Sequence, residues 1–282
     1  MLIHIGFDIA LGVTSPTALI YLLHVHPSRA GDIQGGGERV TVQPQLPTDH
    51  YIDVFGNHCA RVRVPEGVRQ VRLRNEAVVF DAGWPDAVAP HANELPISQL
   101  PESTLQFLLP SRYCEVDSEL LPLAWNQFGR VAPGWQRVQA ICDFVHQRVR
   151  FDYACARATR TALEVFRERV GVCRDFTHLA ITLCRCMNIP ARYATGYLGD
   201  IGVPAAPYPM DFSAWFEVWL GDRWFTFDAR HNVPRIGRIV IARGRDAADV
   251  PITMVFGANT LERFEVTTQE VVAVPAAEAQ GA

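Results

Sequence analysis

Cys173 is the residue whose surroundings in the sequence favour chemistry. It follows Gly171-Val172 and opens an apolar pattern at helical spacing, Phe176, Leu179, Ala180, Leu183 and Met187, which Asn188-Ile189-Pro190 ends. A cysteine in the first turn of a helix meets unpaired amide N–H groups and the positive end of the helix dipole, and both favour an anion. Thiolate is the nucleophilic form, so attack on a carbonyl carbon is the chemistry this position suits. The same amides are placed to steady an oxyanion. Against this stands the commoner fate of a buried cysteine, which is inert packing, and Cys142 and Cys155 read that way. Cys184 and Cys186 lie two apart on a helix, face different directions and lack the spacing of a zinc or redox pair.

A second stretch runs from Asp211 to Asp228. A two-residue turn at Gly221-Asp222 sets Leu220 opposite Arg223 and hence Trp215 opposite Asp228, with Ser213 further along the same side. Asp228 is thereby expected to reach toward position 213, as a carboxylate does when it orients a base. A serine hydroxyl is too weak a base for that role near neutral pH. His231 is the best substitute, since a turn over Arg230 to Asn232 would return it to Asp228. His178 lies about 500° of helical rotation beyond Cys173 and points away from it. It is expected to pair with Asp175 instead. His146 reaches the site only through tertiary packing. His24 and His26 share one face of a strand, as two metal ligands would, but no Cys or acidic partner at metal-site spacing is near. Asp246 and Asp249 are too dispersed for a calcium cage, so no metal and no cofactor are expected.

These residues must be held by two kinds of structure. Ile3 to Leu11, Ala18 to His26, Arg39 to Gln43, Tyr51 to Val64 and Val68 to Phe80 are β-rich stretches broken by turn residues, which predicts an N-terminal β-sandwich over 1–82. A Pro-rich linker follows over 83–110. Over 111–273 the pattern predicts helices from Gly134 to Val149, from Thr161 with Glu164 at capping-box spacing, and from Cys173. Strands follow at 192–197, 212–220, 223–228, 236–243 and 261–272, and 274–282 reads as a flexible tail. The class is α+β.

With 282 residues, 49% hydrophobic and 20% charged, the chain can bury a sizeable core. All 26 basic residues are Arg and none is Lys, which removes P-loop, pyridoxal-phosphate and Ser-Lys chemistry. A net charge of -4 gives no electrostatic reason to bind nucleic acid or an anionic membrane. No secretory signal or membrane span is evident, and seven scattered cysteines fit a reducing cytoplasm.

The run Arg169 to Ile181 around Cys173, the strand Ile189 to Tyr197, and Ala214-Trp-Phe-Glu-Val with Phe227-Asp228 together resemble the bacterial transglutaminase-like superfamily. The resemblance covers about Glu119 to Asn232, and the β-rich first segment resembles the sandwich that often precedes that core. It implies a papain-like Cys-His-Asp site in which Cys173 attacks a carboxamide or peptide carbonyl and Asp228 holds the imidazole. The family histidine would stand just before Ala214-Trp215, where this chain has Ser213. The expected catalytic set is therefore Cys173, Asp228 and His231, with Ser213 at the family's base position and Trp215 and Tyr197 as binding residues for a peptide or protein. Three functions stay open: a thiol amidase, peptidase or acyltransferase; a catalytically degenerate member that uses Trp215, Trp219 and Trp224 to hold a peptide; and a scaffold whose β-rich segment recognises a partner.

Overall fold

The computed structural model describes residues 1–271; the expected tail at 274–282 lies outside the described residues. The first segment forms β1 (Leu2–Val13), β2 (Thr17–Tyr21), β3 (Ile33–Gln34), β4 (Thr41–Gln43), β5 (Thr48–Ile52), β6 (His58–Val64) and β7 (Gln70–Phe80). The middle of the chain is helical, with α1 (Glu102–Leu105), α2 (Leu120–Phe128), α3 (Trp135–Arg148), α4 (Ala162–Glu168) and α5 (Cys173–Cys186). Two short strands, β8 (Arg150–Phe151) and β9 (Val170–Gly171), flank α4 and pair in parallel. The chain then returns to strand as β10 (Ala191–Leu198), β11 (Ser213–Leu220), β12 (Arg223–Phe227), β13 (Arg238–Gly244), β14 (Thr253–Val255) and β15 (Asn259–Glu270).

The strands build three larger antiparallel sheets. One runs β15-β1-β7-β3, with β4 also on β7; a second runs β14-β2-β6-β5; the third runs β12-β11-β10-β13. Alternate residues of β1, β6 and β7, such as Ile3, Ile5, Ile9, Val62, Val64, Val71, Leu73 and Val79, are buried in a continuous apolar core that extends to the helices. Helix α5 packs on β10 and β11 and touches α2, α3 and α4. Every residue from Asp175 to Cys186 is buried, so the helix that begins with Cys173 forms the centre of the helical half. The class is α+β, helices packed on antiparallel sheets, as the sequence predicts. No helix among the described residues is long and apolar enough to cross a membrane.

The structure departs from the sequence expectations at four places. Tyr51–Val64 is a hairpin and not one strand, because the Asp53 carboxylate accepts the Phe55 and Asn57 amides at 2.8 and 2.9 Å and Gly56 takes φ 83°. The Ala18–His26 strand stops at Tyr21, and His26 donates its amide to Val240 O instead of a ladder partner. Helix α2 was not anticipated; Pro122 falls in its first turn, where a missing N–H is tolerated. The strand at 261–272, assigned to the unit over 111–273, is β15, and it pairs with β1 from Ile3↔Glu270 to Val13↔Asn259. β14 likewise joins β2. Single-strand patterning specifies a strand but not its partner.

Candidate functional site

The segment that delivers Cys173 is tied down on both sides. Helix α4 starts in a capping box, with Thr161 N donating to Glu164 at 2.9 Å and Glu164 N to the Thr161 hydroxyl at 3.4 Å, and it ends at Arg169 in the left-handed region, φ 58°. The next turn is fixed by Asp175, whose fully buried carboxylate accepts the Val172 amide and the Arg160 guanidinium, both at 2.9 Å. Asp175 folds back so closely that a β-carbon on Gly171 would lie 2.6 Å from its side chain. Cys173 thus enters the first turn of α5 with its position set by glycine and a buried ion pair.

Cys173 is half-buried as a residue, and the backbone N–H groups of Arg174 and Ala214 act on its sulfur to favour the anion. Burial pushes it up to about 11, with the Arg230 guanidinium pulling the other way and Asp211 adding to the rise. The resting group is therefore a thiol, and the amide dipoles alone do not make it a thiolate.

Asp228 follows β12 directly and closes a tight turn. Its Oδ1 accepts the Arg230 and His231 amides at 3.0 Å each, and its Oδ2 accepts His231 Nδ1 at 2.8 Å and Arg238 at 2.9 Å. Asn232 completes the turn with φ 53° and donates to Asp228 O at 2.8 Å. Burial alone would push the Asp228 carboxyl up, but Arg238 and His231 hold it well below the usual carboxylate range. An ionised Asp228 accepts, so Nδ1 of His231 is the donor, and in the neutral ring the lone pair falls on Nε2. His146 reinforces the turn from α3, its Nδ1 lying 2.9 Å from Arg230 O.

Ser213, Asp211, Arg230, His231, Tyr153 and Tyr208 line one small cavity of about 50 Å³. Cys173 is not among the lining residues, but Arg230 and Asp211, which are, act on its thiol through their charges. Tyr153 and Tyr208 meet edge to face at 5.4 Å, and Arg230 lies 3.8 Å over Phe151.

The hairpin forms in the register its turn dictates, with Leu220↔Arg223 and Phe216↔Phe227. Asp228 nevertheless does not reach Ser213. It is held by His231 and Arg238, and the buried Ser213 hydroxyl has no hydrogen-bond partner among the described residues. Trp215 and Tyr197, expected as binding residues, are both buried, Trp215 beside Ala194 and Val240 and beneath Arg238, Tyr197 edge to face with Phe212. The exposed aromatics of the cleft are Tyr153 and Tyr208, at 37% and 43%. Their presence in loops was the only signal available to sequence reading. His178 does not pair with Asp175. Its Nε2 accepts the Ala247 amide at 3.1 Å, while Asp175 is occupied by Arg160.

Comparison with known proteins places these residues in context. The pattern of the Transglutaminase-like superfamily matches residues 125–229, which includes Cys173, Ser213 and Asp228. A crystal structure from Cytophaga hutchinsonii, described as a candidate cysteine protease, is 32% identical and superposes with a TM-score of 0.82 over 95% of this chain and 90% of that one. An uncharacterized protein of Mycobacterium leprae is 22% identical over 243 residues, 82% of this chain and 84% of that protein. An uncharacterized protein of Mycobacterium tuberculosis is 25% identical over 231 residues, 76% of this chain and 73% of its own length.

Proposed function

Because the chain belongs to the transglutaminase-like superfamily, we propose that it is a cytoplasmic thiol enzyme acting on carboxamide or peptide bonds of a peptide or protein, with Cys173 as nucleophile, His231 as base and Asp228 as the carboxylate that orients it. The observation that carries this reading is the Asp228–His231 pair at 2.8 Å, which supplies a carboxylate–imidazole couple although Ser213 occupies the family's base position. His231 Nε2 accepts the thiol proton as Sγ bonds to the carbonyl carbon. The imidazolium then protonates the leaving nitrogen as the C–N bond breaks, leaving a thioester on Cys173. Water or an amine releases the acyl group, with the imidazole again taking the proton. The Arg174 and Ala214 amides are the donors available to the oxyanion. A thiol held up to about 11 needs its base at the moment of attack, so substrate binding and proton transfer go together.

The raised thiol and the serine at 213 also favour a second reading, a cleft that holds a peptide without cleaving it. One experiment separates the two: the full chain and Cys173→Ala are incubated with glutamine-containing peptides and aryl amides, followed by product assay and intact-mass measurement. The enzyme reading expects turnover and a Cys173-bound acyl mass that both vanish in Cys173→Ala. Turnover equal in the two proteins, or none with any substrate while peptide still binds, overturns it.

A further inference from the structure

We propose that His24, His50 and His58 form a transition-metal site, suited to Zn²⁺, on the sheet that contains β2, β5 and β6 and outside the thiol cleft. One ring nitrogen of each lies within 4.8 Å of the others. The ladder explains the convergence. β5 pairs with β6 in the register Ile52↔His58 and His50↔Ala60, so His50 and His58 are diagonal neighbours on one face, and β2 brings His24 alongside just beyond Tyr21↔Ala60. His50 Nδ1 stands 3.1 Å from His58 Nε2. Two nitrogens bound to one tetrahedral zinc at about 2.0–2.1 Å would stand about 3.3 Å apart.

His24 supplies the independent observation. Its Nδ1 lies 3.3 Å from Glu38, and Glu38 also accepts the Val25 amide at 3.0 Å and the Asn75 side-chain amide at 2.8 Å. A carboxylate accepting on all sides makes Nδ1 the protonated nitrogen, which leaves a lone pair on Nε2. That Nε2 is buried with no hydrogen-bond partner among the described residues, and the residue is only 8% exposed. A buried acceptor without a donor is costly, and a metal ion satisfies it. Carboxylate–histidine–metal is also the arrangement in which the outer partner fixes the tautomer and strengthens the ligand.

His24 and His58 stack at 4.0 Å, and because each lone pair lies in its ring plane, binding requires the two rings to tilt toward a shared point. The exposed His50 gives an entry path and leaves a fourth position for water. Three imidazoles without a thiolate favour Zn²⁺ or its first-row neighbours over Ca²⁺ or Mg²⁺. The His24–His26 pair weighed from sequence is not this site: His26 faces Ser28 and Arg243, and the missing acidic partner is Glu38, 14 residues from His24.

The test is a chelator-competed Zn²⁺ titration of the full chain, repeated with His50→Ala, His58→Gln and Glu38→Gln, each checked for native circular dichroism. The expected result is one equivalent of Zn²⁺ per chain, lost in His50→Ala or His58→Gln and weakened about 10- to 100-fold in Glu38→Gln. Co²⁺ in place of Zn²⁺ should give the d–d spectrum of a four-coordinate nitrogen site. Absence of equimolar binding, undiminished binding in a folded His50→Ala or His58→Gln protein, or a thiolate charge-transfer band with Co²⁺ overturns the assignment.

Discussion

At the scale of single residues, the site turns on where a proton rests. With the thiol raised to about 11, alkylation of Cys173 by iodoacetamide, followed by peptide mapping, should be slow at neutral pH and climb with a midpoint near 11. An unhindered thiol titrates near 8.5. A midpoint near or below 8.5 would show that the sulfur is not held in a desolvated environment. If His231 is the base, His231→Ala should lower turnover about 10²- to 10⁴-fold in kcat, whereas Ser213→Ala, which removes a hydroxyl without a partner among the described residues, should leave it within about threefold. The reverse ordering would shift the role to position 213. Cys173 was legible because helix-start chemistry is written in consecutive residues, and His231 because it follows Asp228 by only three. Arg230, Arg238 and Tyr153 were not, because their relation to the thiol and the carboxylate is created by folding.

Secondary-structure elements hold those residues in place, and the junction between β9 and α5 is the tightest. Gly171→Ala would drive a methyl group into Asp175, and the Arg160–Asp175 pair and the Val172 amide would be displaced with it. The expected loss is about 1–3 kcal/mol of stability, the usual scale of overpacking, accompanied by altered Cys173 labelling. Equal denaturation midpoints for the two proteins would show that the turn relaxes freely. Helices α3, α4 and α5 and the β11–β12 hairpin could be read in advance since their signals are local: apolar spacing, a capping box and a Gly-Asp turn. What failed was non-local. A strand pattern in β15 does not say that its partner is β1, and a helix with proline in its first turn looks broken until the missing donor is recognised as one of the unpaired four.

Across the whole molecule, a polar seam joins the first sheets to β13. His26 donates its amide to Val240 O at 2.9 Å, its Nδ1 lies 3.1 Å from Arg243, and Asn57 exchanges two hydrogen bonds with the Arg243 backbone at 2.7 and 2.8 Å. Burial, then Arg243, push His26 down to about 4, against the partial opposition of Glu217. The unfolded chain therefore binds a proton between pH 6.5 and 4 that the folded one refuses. The stability is complete above pH 6.5 and is lost as pH falls toward 4, by up to about 3 kcal/mol for this buried ring. Denaturant midpoints measured across that interval should decline on acidification, and His26→Gln should flatten the decline. An unchanged slope in the variant would assign the acid sensitivity elsewhere.

The partnership of β1 with β15 also sets an order of events. β7, the last strand of the first segment, can cover one edge of β1 early, but the opposite edge waits for residues 259–270, more than 240 positions downstream. During that interval a twelve-residue apolar strand carries an open row of amides and carbonyls while the helical core is still being made. Among the described residues, this ladder is the last strand pairing to be completed in chain order, and a nascent protein halted before residue 259 leaves that edge of β1 uncovered.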